Sequence, residues 1–296
     1  MRRAHPERAL EKAVTEAVAA SAGETLLAAV SGGPDSAALV GLLAHHAAER
    51  GARVVLAHVN HGTRSSAARD EAVVLSLASL LGVRALVRAL GPGETSEARL
   101  RSARYAQLAD AARESGARRV FTAHHAEDQT ETVLMALFRG TGPAGLAGMP
   151  VERRLAGGVR LVRPLLWATH ADLVAYCRRR RLPYALDPSN DDVGYRRNAL
   201  RAALGDLRRS FPGLDAAVAR CAAIAHDEAS GDERGALRRR LREELIAATG
   251  QVRDMTYERL DAVARALQKG RTGRHFVRPG LEVITPFCSA KRGPQG

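Results

Sequence analysis

Short apolar segments alternate with longer amphipathic segments over about the first 140 residues, and no other feature limits the fold of this chain so strongly. The apolar segments have the length of buried strands, and the amphipathic segments have the spacing of helices. Strands that alternate with helices predict an α/β fold in which a parallel sheet carries helices on both faces. The predicted strands cover 25–30, 53–59, 84–88 and 119–122, and the predicted helices cover 34–50, 67–81, 96–115 and 126–139.

The remainder of the chain predicts a smaller second part. Thr169 and Asp172 have the spacing of a helix capping box. The further predicted elements are a strand over 159–166, helices that end near 181 and 208, helices over 232–248 and 256–267, and a hairpin over 275–287. For 296 residues we expect a larger α/β catalytic domain over 1–215 and a small, mainly helical region over 216–296.

The charge balance is strongly basic. Lys and Arg number 45 against 32 Asp and Glu, which gives a formal net charge of +13, and nearly all of the bases are arginines. Guanidinium groups bind phosphate with two parallel hydrogen bonds, so this excess predicts a polyanionic partner such as nucleic acid. A GC-rich coding sequence is an alternative reason for Arg in place of Lys, but it does not explain why bases outnumber acids.

Cysteine usage and hydropathy favour the cytoplasm. Cys177, Cys221 and Cys288 lie far apart, which disfavours a sequence-evident zinc site, an iron–sulfur cluster or a disulfide framework. No stretch approaches the ~20 apolar residues of a membrane span. We therefore expect a cytoplasmic protein without membrane attachment, and the oligomeric state stays open, a homodimer included.

A glycine-containing loop joins the first predicted strand to the first predicted helix. It consists of Ser31, Gly32, Gly33, Pro34, Asp35 and Ser36. A strand, a glycine loop and a helix N-terminus together present backbone N–H groups to a phosphate, although this spacing fits neither common nucleotide fingerprint. Asp35 would repel a phosphate unless a cation bridges the two, which indicates Mg²⁺. The alternative explanation is an ordinary acid favoured by the helix dipole, and the sequence leaves both open.

Two more polar loops follow predicted strands. Their polar residues are His58, Asn60, His61 and Arg64 in one loop, and His124, His125, Glu127, Asp128 and Glu131 in the other. Because parallel strands end at the same edge of a sheet, we expect both loops to meet the glycine loop in one crevice. Clustered His, Asp and Glu can bind Mg²⁺, orient an amine or take its proton. The alternatives are a buried, hydrogen-bonded histidine in the first loop and a capped, solvated helix start in the second.

Together these motifs resemble the PP-loop ATP pyrophosphatases, and among them the tRNA(Ile)-lysidine synthetase family. The matching segments, in chain order, are Ser31 to Ser36, His58-Val59-Asn60-His61-Gly62, residues 97–105 with paired arginines before Tyr105, residues 122–132, Arg139-Gly140-Thr141-Gly142, Arg163-Pro164-Leu165-Leu166, and residues 187–190 and 195–201. The likeness covers roughly 22–215. The chain departs from the family in having Glu127, where Asp is usual, and in its short C-terminal part.

The resemblance implies an ATP-dependent ligation of free lysine to C2 of the wobble cytidine of tRNA(Ile), through an adenylated cytidine, with release of pyrophosphate and AMP. It implies ATP contacts from Ser31, Gly32, Gly33, Pro34, Asp35, Ser36, His58, Asn60, Arg139 and Gly140. The implied catalytic residues are Asp35 and Asp128 as Mg²⁺ ligands, His125 as a proton acceptor, and Glu131 as the partner of the lysine ammonium. Arg101 and Arg104 would hold the lysine carboxylate or a tRNA phosphate.

The implied macromolecular partner is the anticodon loop of tRNA(Ile). The residues expected to contact it are Arg178, Arg196, Arg197, Asn198, Arg201 and Arg208. For any one of these arginines a solvated helix face is the alternative explanation. Three rival functions remain open. A tRNA sulfur-transferase of the same superfamily typically has cysteine pairs, and a small-molecule synthetase would not need this net charge. A non-catalytic binding module would not need the acid and histidine block.

Overall fold

The structure, a computed structural model, describes residues 6–19, 23–60, 67–90, 96–185, 196–230, 233–249, 257–270, 273–278, 281–285 and 289–292. The helices are α1 (Pro6–Ala19), α2 (Pro34–Glu49), α3 (Ala67–Leu81), α4 (Glu97–Ser115), α5 (Ala126–Leu137), α6 (His170–Arg180), α7 (Arg196–Ser210), α8 (Leu214–Ser230), α9 (Glu233–Thr249) and α10 (Tyr257–Gln268). The strands are β1 (Thr25–Ala29), β2 (Arg53–Asn60), β3 (Arg84–Ala89), β4 (Arg119–Phe121), β5 (Glu152–Arg154), β6 (Arg160–Val162), β7 (Gly273–Arg278), β8 (Leu281–Thr285) and β9 (Ser289–Arg292). No helix among these combines the length and apolarity needed to cross a bilayer.

A six-stranded sheet in the order β3-β2-β1-β4-β6-β5 organises the first part of the chain. All of its neighbouring strands pair in parallel except β5, which is antiparallel to β6 at one edge. The register aligns Ala29 with Ala57 of β2, and Ala28 with Phe121 of β4. The loops that leave β1, β2 and β4 therefore start from the same edge of the sheet.

Helices cover both faces of this sheet, because successive side chains of a strand point to opposite faces. Leu26 and Ala28 of β1 are buried among residues of α1, α2, α3 and α6. Leu27, between them, is buried on the other face, among residues of α4. Each fully buried leucine contributes roughly 1.5–3 kcal/mol. The predicted parallel sheet with helices on both faces is confirmed.

Most predicted elements of this part are present with small shifts at their ends. Each of the first four predicted strands ends within one residue of its observed bounds. The predicted strand over 159–166 is wrong beyond Val162, because a turn starts at Pro164, which has no N–H for a ladder. The capping box is confirmed, since Thr169 Oγ1 accepts from Asp172 N while the Asp172 side chain accepts from Thr169 N.

Two compact units make up the chain, one formed by Met1–Thr132 with Met149–Ala219 and the other by Val133–Gly148 with Arg220–Gly296. In the second unit, α9 and α10 bury an apolar cluster with β7. Arg238 is buried there and pairs with Asp227 and Asp261. The predicted hairpin is present as β7 and β8, and β9 extends it to three antiparallel strands. The predicted domain bounds at 215 and 216 stay a prediction.

Candidate active site

The glycine loop lies between β1 and α2. Ser36 Oγ donates to Gly33 O at 2.9 Å and accepts from Ser31 N at 3.2 Å, so one hydroxyl closes the loop. Pro34 begins α2, and no described side chain caps this helix. Its first N–H groups therefore remain available to an anion, as the sequence predicts.

Gly32 is the position of the loop that most strongly favours glycine. Its φ of +93° lies in the region that L side chains rarely adopt. A Cβ on Gly32 would lie 3.2 Å from both the Cβ and the carbonyl oxygen of Asp70 in α3. Its own carbonyl accepts from Ala185 N at 2.9 Å. Backbone strain and the tight contact with Asp70 therefore both disfavour a side chain here.

His58 lies beneath the glycine loop. Its Nδ1 is 2.9 Å from the carbonyl oxygen of Val30, so Nδ1 carries the proton, because a carbonyl can only accept. The ring is buried, and its Nε2 has no hydrogen-bond partner in the described part of the chain. Asn60 ends β2, whereas His61 and Arg64 lie outside the described residues. The ATP contacts of His58 and Asn60 stay predictions.

The acid and histidine block occupies the start of α5. Asp128 accepts from His125 N at 3.1 Å and so caps the helix. His124 is 2.8 Å from Thr122 Oγ1. Burial, assisted by nearby arginines, lowers the pKa of His124 to about 3 despite the charge of Asp128, so this ring is neutral.

His125 brings this block to the glycine loop. Its Nε2 lies 3.7 Å from Asp35 Oδ2 and 3.4 Å from Asp128 Oδ2, while its Nδ1 lies 2.9 Å from Glu127 Oε2. Burial opposes protonation of this ring, but the hydrogen bond to Glu127 and the charges of Asp128 and Asp35 outweigh it and raise the pKa of His125 to about 9. His125 is therefore a cation at neutral pH, and it can serve as the predicted proton acceptor only after losing its own proton.

His170 completes the group, although no sequence prediction includes it. Its Nδ1 lies 2.7 Å from Asp35 Oδ1, and its backbone N donates to both carboxylate oxygens of Glu127 at 3.1 Å. The hydrogen bond to Asp35 raises the pKa of His170. The capping box places this residue at the first position of α6, and that position was the only sequence signal available for it.

Glu131 is engaged by two arginines of α7. It is only 1% exposed, with its Oε2 2.6 Å from Arg197 Nε and its Oε1 2.7 Å from Arg201 Nε. Arg197 Nη2 also donates to Asp128 Oδ1 at 3.2 Å. Two arginines expected to contact tRNA thus neutralise acids of the site, and a lysine ammonium would have to compete with them for Glu131.

Four arginines surround Tyr105. The guanidinium carbons of Arg101, Arg104 and Arg153 lie 5.8, 5.4 and 4.4 Å from the ring centroid. Arg163, which is 1% exposed, lies beside the ring. In the described ranges no carboxylate forms an ion pair with any of the four, which makes this arginine cluster a candidate anion site. Arg153 and Arg163 were not among the predicted ligands.

Burial alone would raise the pKa of Tyr105, but the charges of Arg104, Arg101 and Arg163 lower it from 10.0 to about 8. Because the folded state ionises this phenol more readily than the unfolded chain does, its contribution to stability is lost as pH falls through 8 and grows as pH rises towards 10. We expect a phenolate absorbance step near pH 8. Tyr105→Phe should remove this step and also the additional folding stability above that pH. Tyr176→Phe is the control, since burial raises the pKa of Tyr176 to about 12; a step that survives Tyr105→Phe would contradict the assignment.

The other predicted site residues are less closely tied to this group. Arg208 forms two hydrogen bonds of 2.9 Å with Asp215, and Arg178 is exposed near the end of α6. Asn198 is half-buried on α7, and the side chain of Arg196 lies outside the described residues. Arg139 and Gly140 follow α5 in the second unit. The roles of these residues stay predictions.

Comparison with known proteins identifies relatives of this arrangement. A tRNA(Ile)-lysidine synthase from Gloeobacter violaceus is 42% identical over 208 residues, which are 70% of this chain and 64% of that protein. One from Ralstonia nicotianae is 41% identical over 205 residues, 67% of this chain and 44% of that protein. The chain thus spans less than two thirds of the length of either relative.

Structural comparison agrees on the fold. The U34-tRNA thiolase NcsA from Methanococcus maripaludis, solved with its [4Fe-4S] cluster, has a TM-score of 0.62 at 14% identity, covering 73% of this chain and 78% of that one.

The family model described as a PP-loop domain, ATP_bind_3, matches residues 5–207, more than half of the chain. The glycine loop, the block around His125 and the arginines of α7 up to residue 207 all lie within that match. Because the match covers more than half of the chain, the chain belongs to the ATP-binding PP-loop family.

Proposed function

We propose that this chain ligates free lysine to C2 of the wobble cytidine of tRNA(Ile), using ATP and forming lysidine, AMP and pyrophosphate. The modified base would read AUA in place of AUG. The observation that carries the proposal is the 3.7 Å approach of Asp35, on the glycine loop, to His125, on the acid and histidine block. A phosphate-binding loop and proton-transfer groups would then share one pocket. The names of the sequence relatives supply the substrate class.

In the first step the cytidine O2 attacks the α-phosphorus of ATP, and the bond to the β-phosphate breaks. The loop hydroxyls and the free N–H groups of α2 suit the departing pyrophosphate. Asp35 and Asp128 would hold Mg²⁺, since hard cations prefer carboxylate oxygens, and the ion would take the place of the His125 imidazolium that both carboxylates face. When bound, the ion would neutralise phosphate charge.

In the second step the ε-amine of lysine attacks C2, the C2–O bond breaks, and AMP leaves with that oxygen. Holding both reactants in one pocket makes this step effectively unimolecular. Glu131 and Asp128 are the acids that would orient the ammonium, in competition with Arg197. The arginine cluster around Tyr105 would bind the lysine carboxylate. His125 would accept the amine proton after its own ring has become neutral.

A reciprocal pair of substitutions separates the lysine carboxylate from tRNA phosphate. Arg104→Gln is expected to raise the KM for lysine about 10–100-fold, the loss of a charge-assisted hydrogen bond, without changing the salt dependence of tRNA binding. Arg178→Gln is expected to lower the slope of log Kd against log salt by about 1 and to leave the KM for lysine unchanged. Filter binding over a salt series and initial rates over a lysine series measure the two effects, and exchanged outcomes would reassign both residues.

Radiolabelled lysine tests the whole proposal. Purified protein, ATP, Mg²⁺, labelled lysine and total bacterial tRNA are incubated, and the tRNA is digested to nucleosides. Label in a single modified cytidine is the expected result. Adenylation that needs no tRNA would instead indicate a small-molecule synthetase, and absence of ATP turnover with any tRNA would indicate a binding module.

A sulfur-transferase of the same superfamily is the nearest rival, and the fold shared with the thiolase fits it equally. The environment of Cys177 favours lysidine formation over sulfur transfer. Cys177 is buried and its Sγ donates to Pro34 O at 3.2 Å, and burial raises the pKa of its thiol to about 12. Such a thiol is a poor nucleophile and a poor cluster ligand. Thiolated nucleoside in the assay would overturn this preference.

A further inference from the structure

Asp35, His125 and His170 bring metal-binding atoms together from three separate segments. Asp35 lies in the first turn of α2, His125 precedes α5, and His170 begins α6. One donor atom from each side chain lies within 4.8 Å of the other two. The closest pair, His170 Nδ1 and Asp35 Oδ1, is 2.7 Å apart. The three donor atoms are therefore near enough to one another to be shared by one ion.

The donor types distinguish this group from a magnesium site. Mg²⁺ prefers an octahedron of oxygens, whereas two imidazoles and one carboxylate suit zinc and its neighbours in the transition series. Three protein ligands with an open fourth position are typical of zinc sites that admit water or substrate. His170 is 48% exposed at its side chain, so an ion could reach the group from solvent.

Glu127 supplies the outer carboxylate that metal-binding histidines usually have. Its Oε2 lies 2.9 Å from His125 Nδ1, which leaves His125 Nε2 to face Asp128 at 3.4 Å and Asp35 at 3.7 Å. The same carboxylate accepts from the backbone N of His170 and so fixes the start of α6. A carboxylate that orients a metal-binding histidine through its second ring nitrogen is a recurrent support of zinc sites.

We propose that Asp35, His125 and His170 bind one divalent transition-metal ion of the Zn²⁺ class, with Glu127 as the outer-shell carboxylate. This site goes beyond the proposed ligation and shares only Asp35 with the oxygen ligands suggested for Mg²⁺. An ion held there would occupy Asp35 and exclude Mg²⁺ from it. Zn²⁺ would therefore inhibit the ATP reaction, and a chelator that binds Zn²⁺ in preference to Mg²⁺ would restore it.

Cobalt titration of the full chain, without ATP or tRNA, tests the site. We expect one Co²⁺ per chain, with the intense visible absorption of four-coordinate cobalt, and displacement by Zn²⁺. His170→Gln removes a ligand and should abolish that absorption, while Glu127→Gln should weaken binding about 10–100-fold. His45→Gln is the matched control, because His45, His46 and Glu49 form the other donor group among the described residues.

Weak, octahedral absorption in the wild type, or equal binding by wild type and His170→Gln, would overturn the site. Loss of binding in His45→Gln would do the same by moving the ion to the other group. If a thermal melt shows that His170→Gln does not fold, X-ray absorption of the zinc-loaded wild type decides instead. We expect scattering from two imidazole ligands, and a spectrum without imidazole scattering would overturn the proposal. Because no RNA is present, a negative result leaves lysidine formation untouched, and a failed ligation assay leaves the metal site untouched.

Discussion

Asp128→Asn is expected to lower the rate of lysidine formation by about 100-fold or more, as the loss of one preorganised electrostatic contact does in other active sites. The side chain is 16% exposed and faces both His125 and Arg197. Asn keeps the volume and the oxygen that caps α5, but it removes the charge and puts an amide N–H₂ where Asp128 Oδ1 accepts from Arg197. Single-turnover lysidine formation over a Mg²⁺ series measures the effect.

Asp110→Asn is the matched control for this substitution. Asp110 is half exposed on α4, where it pairs with Arg113 one turn away. Exposed pairs of this kind contribute about 0–1 kcal/mol, so unchanged activity is expected. An Asp128→Asn protein with full activity and unaltered Mg²⁺ dependence would remove Asp128 from the mechanism.

Gly32→Ala is expected to abolish ATP-dependent activity and to cost about 1–3 kcal/mol of unfolding free energy through backbone strain. The substitution meets two obstacles at once, the positive φ and the contact with Asp70 in α3. Relief of either requires the loop to move, which displaces the N–H groups at the start of α2. Urea unfolding and ATP binding by calorimetry separate the two effects.

Gly116→Ala isolates the strain from the crowding. Gly116 ends α4 with a φ of +72°, and nothing lies within 4 Å of the position that its Cβ would take. We expect a similar loss of stability, about 1 kcal/mol, with normal ATP binding. If Gly32→Ala also binds ATP normally, the glycine loop is not the phosphate site.

The parallel sheet was predictable because its strands are apolar, short and bounded by turn residues. Its antiparallel edge strand, β5, was not. Strand β5 has three polar residues at a sheet edge, so no hydrophobic pattern marks it. Helix α1 does carry a pattern, since Leu10, Val14 and Val18 recur at every fourth position and are all buried, but no prediction covers it. Its charged neighbours conceal the stripe.

The site shows the same limit more clearly. Loops that follow neighbouring strands could be brought together by the topology alone, and the structure does bring Asp35 to His125. His170 joins them across 135 residues of sequence, through the packing of α6 on α2. The pairing of Glu131 with Arg197 and Arg201 likewise depends on where α7 lies. Such contacts depend on the tertiary structure, so no local spacing of residues in the sequence reveals them.

The buried carboxylate of Glu131 carries a consequence for how any cation enters the pocket. Both of its oxygens are held by guanidinium groups, and a carboxylate this deeply enclosed needs a positive partner at all times. An arriving ammonium must therefore take the place of a guanidinium, in an exchange of one cation for another that conserves local charge. Binding of a cation in the pocket and displacement of α7 would then be coupled in one equilibrium.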